Sequence, residues 1–130
     1  MDTINLAAVL VAALASFLLG ALWYSKILFG EIWMRESGYD KTKCFHPARV
    51  FGVSFVMSVI GAAVFAYLVG PAPVLKEAVV KGLMVGAGVA GTSFAINYQF
   101  ASRSVALTLI DASYHTVQFG LFGMVLGLWP

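Results

Sequence analysis

Four long apolar stretches constrain the fold of this chain more than any other feature. The first, INLAAVLVAALASFLLGALWY at residues 4–24, contains no charged side chain. A helix of roughly 20 apolar residues crosses the 30 Å or so of hydrocarbon in a bilayer. With 61% hydrophobic and only 11% charged residues, the chain also lies far from the composition of soluble domains. We therefore predict an integral membrane protein.

The predicted fold class is all-α, a polytopic membrane protein with four transmembrane helices in a compact bundle. Four spans use nearly all of the 130 residues, so we expect a single domain over residues 1–130. Between the first two spans, Ile27 and Trp33 alternate with the charged Lys26 and Arg35, which favours a short helix lying in the interface or a lid over a cavity. The spans are expected at about 4–24, 50–69, 78–98 and 105–129.

The basic residues predict the orientation, because Lys and Arg near span ends are retained on the cytoplasmic side. Two of the eight, Lys76 and Lys81, fall on one side of the predicted bundle. We therefore expect both termini outside the cytoplasmic membrane. The other six fall in the first and third loops: Lys26, Arg35, Lys41, Lys43, Arg49 and Arg103.

The aromatic residues, the basic residues and the cysteine content indicate which partners and cofactors to expect. Trp23, Tyr24 and Trp33 are expected to anchor the bundle at the membrane interface. The basic first loop suits anionic lipid headgroups, and no pattern for nucleic-acid binding is present. The N-terminus lacks the positive segment of a signal peptide, so we expect the first span to be retained. Cys44 is the one cysteine, which builds neither a disulfide nor a metal site alone, and no cofactor is predicted.

Small residues indicate where the helices pack, since close backbone approach is what holds membrane helices together. The third span carries small residues on two faces, which is typical of a helix that is central or shared with a second subunit. We therefore expect a homo-oligomer, with a dimer favoured. The glycines expected at helix contacts are Gly82, Gly86, Gly120, Gly123 and Gly127.

The fourth span contains LIDASYHTVQFG, whose polar residues fall on one helical stripe: Asp111, Tyr114, His115 and Gln118. A charged aspartate in mid-bilayer costs about 3 kcal/mol on insertion scales, so this stripe must face protein or water. The short connection to the third span makes the two helices antiparallel neighbours. Counting back from that turn sets His115 opposite Gly88, while Asn97 and Arg103 lie nearer the cytoplasmic end.

Three interpretations of this polar seam stay open. Asp111 and His115 are four residues apart and could simply pair as packing contacts. Alternatively, the seam with Asn97 and Arg103 forms a polar track for a proton or a small solute, because intramembrane ionisable residues mark pathways. A metal or cofactor site is the weakest option, because the seam alone supplies too few ligands.

Four stretches resemble a family of small bacterial four-helix membrane proteins known as domain of unknown function 1761: GALWYSKILFGEIWM, FGVSFVMS, NYQFASRSVALTLIDASYH and GMVLGLW. The resemblance covers nearly the whole chain and implies one membrane domain, in the bacterial inner membrane, with no established activity. It also implies proline at the position of Lys26 and asparagine at that of Asp111 in many relatives. A shared role would then fall to Tyr114, His115, Asn97 and Trp23.

Two function classes remain in view. The first is a small transporter, proton-linked or for a small solute, with the polar seam as its pathway and an unidentified small-molecule ligand. The alternative is a structural or accessory membrane subunit that self-associates or docks another membrane protein. We do not expect an enzyme, because no pairing of a nucleophile with a base and no set of metal ligands is visible.

Overall fold

A computed structural model describes residues 4–39 and 46–130, and within these residues the chain forms helices and connecting turns without strands. Lys41, Lys43 and Cys44, which entered the orientation and cysteine arguments, lie outside the described residues. The helices are α1 (Leu6–Trp23), α2 (Gly30–Ser37), α3 (Pro47–Val69), α4 (Leu75–Val85), a π-helical segment (Gly86–Gly91), α5 (Thr92–Phe100) and α6 (Val105–Leu128).

Local signals explain where these helices begin and end. Asn5 caps α1 by accepting from the amide of Ala8 at 3.1 Å, and Ser104 caps α6 by accepting from Leu107 at 3.1 Å. Pro47 occupies the first turn of α3, where its missing N–H does no harm. Helix α2 ends at Gly38, whose φ of 73° is the left-handed conformation that glycine adopts most readily.

Three helical stretches are long and apolar enough to cross a membrane: Leu6–Trp23, Pro47–Val69 and Leu75–Phe100. The last of these is one continuous 26-residue helix made of α4, the π-helical segment and α5. Helix α6 has 24 residues, but its polar residues keep its hydropathy below that of the other three. The all-α prediction and the prediction of membrane-length apolar helices are confirmed.

The first loop contains a helix, although a shorter one than its sequence suggests. Ile27 and Leu28 lie in the turn that follows α1, and α2 begins only at Gly30. Gly30 lies directly against the backbone of Tyr24 and Ser25, so that α2 folds back tightly from the end of α1. Any Cβ at this position would collide with backbone atoms, which is why glycine is required here.

Helix α6 is the centre of the bundle and contacts every other helix. Side-chain contacts pair the start of α6 with the ends of α1 and α5, so both of those helices run antiparallel to it. The apolar core lies at the opposite end of the bundle, where α1, α3 and α6 converge. It consists of Ala8, Val9, Ala12, Ala62, Phe65, Ala66, Phe122 and Leu126.

Glycines bring α4 and α6 into direct backbone contact. A Cβ at Gly82 would collide with the carbonyl of Phe119, and one at Gly123 would collide with that of Ala78. At Gly86 an added Cβ would lie 2.5 Å from the carbonyl oxygen of His115. Gly127 lies against the Leu75 backbone, with 2.6 Å from an added Cβ to Cα, and Gly120 lies against the Leu83 side chain, with 2.8 Å to its nearest atom. The five predicted packing glycines thus all lie along one helix pair within the chain.

Replacing Gly82 with alanine is expected to lower the free energy of unfolding by about 1–3 kcal/mol, because overpacking forces two backbones apart. The matched control is Gly52→Ala on α3, where an added Cβ meets nothing within 4 Å. Thermal unfolding in detergent micelles measures both variants. Equal melting temperatures for the two would contradict the close α4–α6 contact.

Candidate functional site

The candidate site is built on the polar seam of α6, which consists of Asp111, Tyr114, His115 and Gln118. Asp111, Tyr114 and Gln118 are buried, and His115 is half-buried. Two neighbouring helices receive this seam, α1 on one side and α5 on the other. The seam therefore faces protein rather than the outer surface of the bundle.

Asp111 is bound by two tyrosine hydroxyls. Tyr24, just beyond the end of α1, donates to Oδ1 at 2.7 Å, and Tyr98 of α5 donates to Oδ2 at 2.6 Å. The carboxyl group is only 6% exposed. Short hydrogen bonds to both oxygens suit an ionised carboxylate, which can only accept. Asp111 thus ties the ends of three helices together.

Tyr114 and Gln118 attach α6 to the middle of α1 through Ser16. The Tyr114 hydroxyl donates to the Ser16 carbonyl at 3.0 Å, and the ring lies over Gly20, where a larger residue would crowd it. The amide nitrogen of Gln118 donates to Ser16 Oγ at 3.4 Å. Ser16 is completely buried, so these contacts are shielded from solvent. The sequence indicated Ser16 as a small packing residue of the first span but not as a partner of the seam, for which its one signal is a hydroxyl in an otherwise apolar stretch.

His115 contacts residues other than Asp111. Its Nδ1 lies 2.7 Å from Oε1 of Gln118, one turn further along α6. Its ring stacks on Phe94 of α5 with centroids 4.9 Å apart and an angle of 16°. No hydrogen bond joins His115 to Asp111 among the described residues, so the direct pairing that their spacing allowed is not formed here. Each of the two makes its own set of contacts.

The π-helical segment explains why Tyr98, and not Asn97, reaches Asp111. A π turn accommodates one extra residue and so rotates the following helix by one position relative to a regular α-helix. On a regular α-helix, the face that begins at Gly86 would continue through Ala90 to Asn97. In the structure the positions that face α6 after Gly86 are Gly91, Phe94 and Tyr98.

This rotation corrects several sequence-based placements. Asn97 is exposed, and Gly88 has open space around it instead of facing His115. Gly86 is the glycine that lies against the His115 backbone. Arg103 is also outside the seam, because its guanidinium donates to the carbonyl of Ser37 at 2.9 Å and joins the α5–α6 turn to α2. The run GAGVAG was the available signal, since small residues permit such a turn.

The three aromatic residues expected at the membrane interface lie around the start of α6, and their place at the interface stays a prediction. Trp23 donates its indole N–H to the carbonyl of Ile110 on α6 at 3.1 Å. Tyr24 binds Asp111, and Trp33 packs edge-on against Tyr24 with centroids 5.8 Å apart. The start of α6 is therefore enclosed by aromatic rings from α1 and α2.

A cavity of about 920 Å³ lies beside the seam, between α1, α3, α5 and α6. Its walls are mainly apolar and aromatic, including Phe17, Phe51 and Phe94, and none of the described residues that line it is charged. Tyr114, His115 and Gln118 form one polar wall. Within residues 4–39 and 46–130, no group of three or more His, Cys, Asp or Glu residues could hold a metal ion.

These features define an α-helical protein with membrane-length apolar helices, whose central helix carries an inward polar seam beside a largely apolar cavity. The chain belongs to the family described as a protein of unknown function, DUF1761, whose profile matches residues 7–127. This match confirms the family resemblance. No curated protein and no solved structure matches the chain.

Substituting Tyr98 with phenylalanine removes one hydroxyl from the Asp111 carboxylate and should lower the free energy of unfolding by about 1.5–3 kcal/mol, the range for hydrogen bonds to charged groups. Tyr67→Phe is the control, because Tyr67 is 66% exposed. In an Asp111→Asn background the effect of Tyr98→Phe should shrink. A full effect that persists in that background would contradict the hydrogen bond.

Deleting Val89, which is 61% exposed within the π-helical segment, should convert this segment to regular α-helix and leave both flanking helices on their present faces. We expect the free energy of unfolding to change by less than about 1 kcal/mol, as for surface changes. Tyr98→Phe should cost as much in the shortened chain as in the full one. Loss of that effect on deletion would show that the register argument is wrong.

Proposed function

We propose that this protein spans the membrane four times and binds a small solute in the cavity beside His115, as a small transporter and not as an enzyme. The observation that carries the proposal is the mainly apolar cavity of about 920 Å³, which Tyr114, His115 and Gln118 line on the side of α6. Ligand sites are typically mostly apolar pockets in which a few polar groups fix orientation.

The burial of its polar groups supports α6 as a fourth span. At 1.5 Å per residue its 24 residues extend about 36 Å, which is enough to cross a bilayer. Asp111, Tyr114 and Gln118 are all hydrogen-bonded inside the bundle, so they do not oppose insertion. The exposed positions of α6 include Leu109 and Met124, apolar side chains suited to contact with lipid.

The proposed orientation retains the sequence argument, with α2 and the α5–α6 turn on the cytoplasmic side and both termini outside the bacterial inner membrane. Arg103 supports this grouping, since its bond to Ser37 places two basic loops at one end of the bundle. A second recess of about 440 Å³ near α2 is lined by Lys26 and Arg35 together with Glu31, and its excess of positive charge fits contact with anionic headgroups.

A solute fits the geometry better than a proton. Both oxygens of Asp111 accept from tyrosine hydroxyls, and Asn97 and Arg103 lie outside the seam. The proposed pathway for protons from the cytoplasmic end is therefore interrupted at Tyr98. The cavity, in contrast, reaches Tyr114, His115 and Gln118 from the side of α3.

Self-association remains a prediction, but it no longer rests on the glycines of α6. Gly120, Gly123 and Gly127 pack against α4 within one chain, so they are not available to a second copy. A homodimer would instead use an outer face that does not line the cavity, such as that of α5, where Ile96 is 59% exposed. We do not favour the accessory-subunit alternative, because it gives the cavity no role.

Filling the cavity tests the proposed function. Ser58→Phe should lower binding of the uncharged apolar fluorophore 1-aminoanthracene at least tenfold, because the new ring occupies the site of the probe. Ser93→Phe is the matched control, since each serine donates to its own helix, to Ser54 and Val89 respectively, and Ser93 does not line the cavity. Fluorescence titration of the purified protein in detergent measures both. Equal probe binding by both variants would contradict the proposal.

A further inference from the structure

A directed chain of hydrogen bonds runs from α1 to the cavity and determines the protonation pattern of His115. It begins at the carbonyl of Ala13, which can only accept, and which receives the Ser16 hydroxyl at 2.9 Å. The hydroxyl proton of Ser16 is therefore used in the hydrogen bond to Ala13. Ser16 Oγ therefore acts as the acceptor for Gln118, 3.4 Å away. This orients the Gln118 amide with its nitrogen toward α1 and its oxygen toward His115.

The orientation of the amide then decides which ring nitrogen of His115 carries the proton. Gln118 Oε1 is an acceptor and lies 2.7 Å from Nδ1, so Nδ1 must donate. In a neutral imidazole the other nitrogen, Nε2, is then an acceptor. No described residue donates to Nε2, and no partnerless side-chain nitrogen or oxygen is buried among the described residues. Nε2 is therefore accessible, and His115 is one of the residues that line the cavity.

The described lining of the cavity offers no countercharge to a ligand. Within residues 4–39 and 46–130, no lining residue is Asp, Glu, Lys or Arg. An ionised group enclosed without a countercharge loses its hydration and gains no compensating partner. The aromatic side chains, among them Phe17, Phe94 and Phe119, instead favour an apolar body. The volume of about 920 Å³ is sufficient for a molecule of drug or lipid-tail size.

Access to the cavity lies on the side of α3. This helix packs on α1, where Phe17 contacts Phe51 and Phe55 edge-on, and it makes much less contact with α6 and α4. Its residues Val53 and Met57 line the cavity and are more than half exposed. In a membrane these residues face hydrocarbon, so a ligand would enter from the bilayer.

From this geometry we infer the class of ligand, an inference that rests on the proposed function. The cavity binds an uncharged amphiphile from the bilayer, with an apolar body between α3 and α5. One hydroxyl or N–H group of the ligand donates to Nε2 of His115. Gln118 and Ser16 are positioning residues, because they act on the ligand through the tautomer of His115.

Three molecules with the same chain length test the inference by displacement of 1-aminoanthracene: hexadecan-1-ol, hexadecyl methyl ether and hexadecanoate. The alcohol can donate to Nε2, the ether cannot, and the hexadecanoate is charged. We expect the alcohol to bind about three- to tenfold more tightly than the ether, as one neutral hydrogen bond allows, and the carboxylate to bind more weakly than the alcohol. Each molecule partitions into the micelle to the same extent with wild type and variant. The ratio of the two proteins' affinities for one molecule is therefore independent of this partition.

Variants assign the preference to named atoms. His115→Leu should reduce the alcohol-to-ether ratio to about one while ether binding persists, and the control His46→Leu, at the exposed start of α3, should keep the wild-type ratio. Gln118→Leu releases Nδ1, so that the imidazole can carry its proton on Nε2 and donate. The alcohol-to-ether ratio should then fall toward one, because Nε2 can donate to the ether, whereas altered packing alone would change the binding of both molecules together.

The outcomes separate this inference from the proposed function. Equal binding of alcohol and ether by the wild type, or tightest binding of hexadecanoate, would overturn the ligand class while leaving a ligand-binding cavity. Failure of all three molecules to displace the probe would count against the cavity as a binding site and thus against both proposals. A second copy that covers α3 would also count against both proposals. Native mass measurement in detergent would then show a dimer that binds none of the three molecules.

Discussion

The buried carboxylate of Asp111 is the constraint on which the rest of the bundle depends. A charged group in apolar surroundings needs hydrogen-bond donors, and here two tyrosines from different helices supply them. Satisfying Asp111 therefore brings the end of α1, the end of α5 and the start of α6 to one point. Trp23 and Trp33 enclose that point from α1 and α2.

The two faces of α6 pack against different helices, α4 on one face and α1 on the other. On one face glycines allow the α4 backbone to approach directly, which holds the hairpin of α4 and α6 together without large side chains. On the other face Tyr114 and Gln118 bind Ser16 of α1. Because α1 and α4 occupy these opposite faces, α3 packs chiefly on α1. The space left between α3, α5 and α6 is the cavity.

His115 connects this architecture to the proposed chemistry. Its ring is held by Phe94 on one side and by Gln118 at Nδ1, so that its orientation is set by two helices. The polar groups of the seam, which lie in an otherwise apolar helix, thus find nearly all of their hydrogen-bond partners within the bundle. The atom left available is Nε2, next to an uncharged cavity. A ligand that donates one hydrogen bond completes the arrangement.

The sequence by itself determined the all-helical membrane class, since uncharged runs of about 20 residues have few other structures available. It also determined that Asp111, Tyr114, His115 and Gln118 share one face, because α6 is a regular helix and its period is known. It did not predict the partners of that face. A regular period placed Asn97 opposite the seam, whereas the π-helical segment rotates α5 by one residue and presents Tyr98.

Only the tertiary structure decided that rotation, for a physical reason. A π turn is locally less favourable than an α turn, so the contacts that it makes possible must compensate for it. Those contacts are Tyr98 with Asp111, Phe94 with His115 and Gly91 with Ala112. All three join residues from different helices, and a helical period read along one segment contains no information about such contacts.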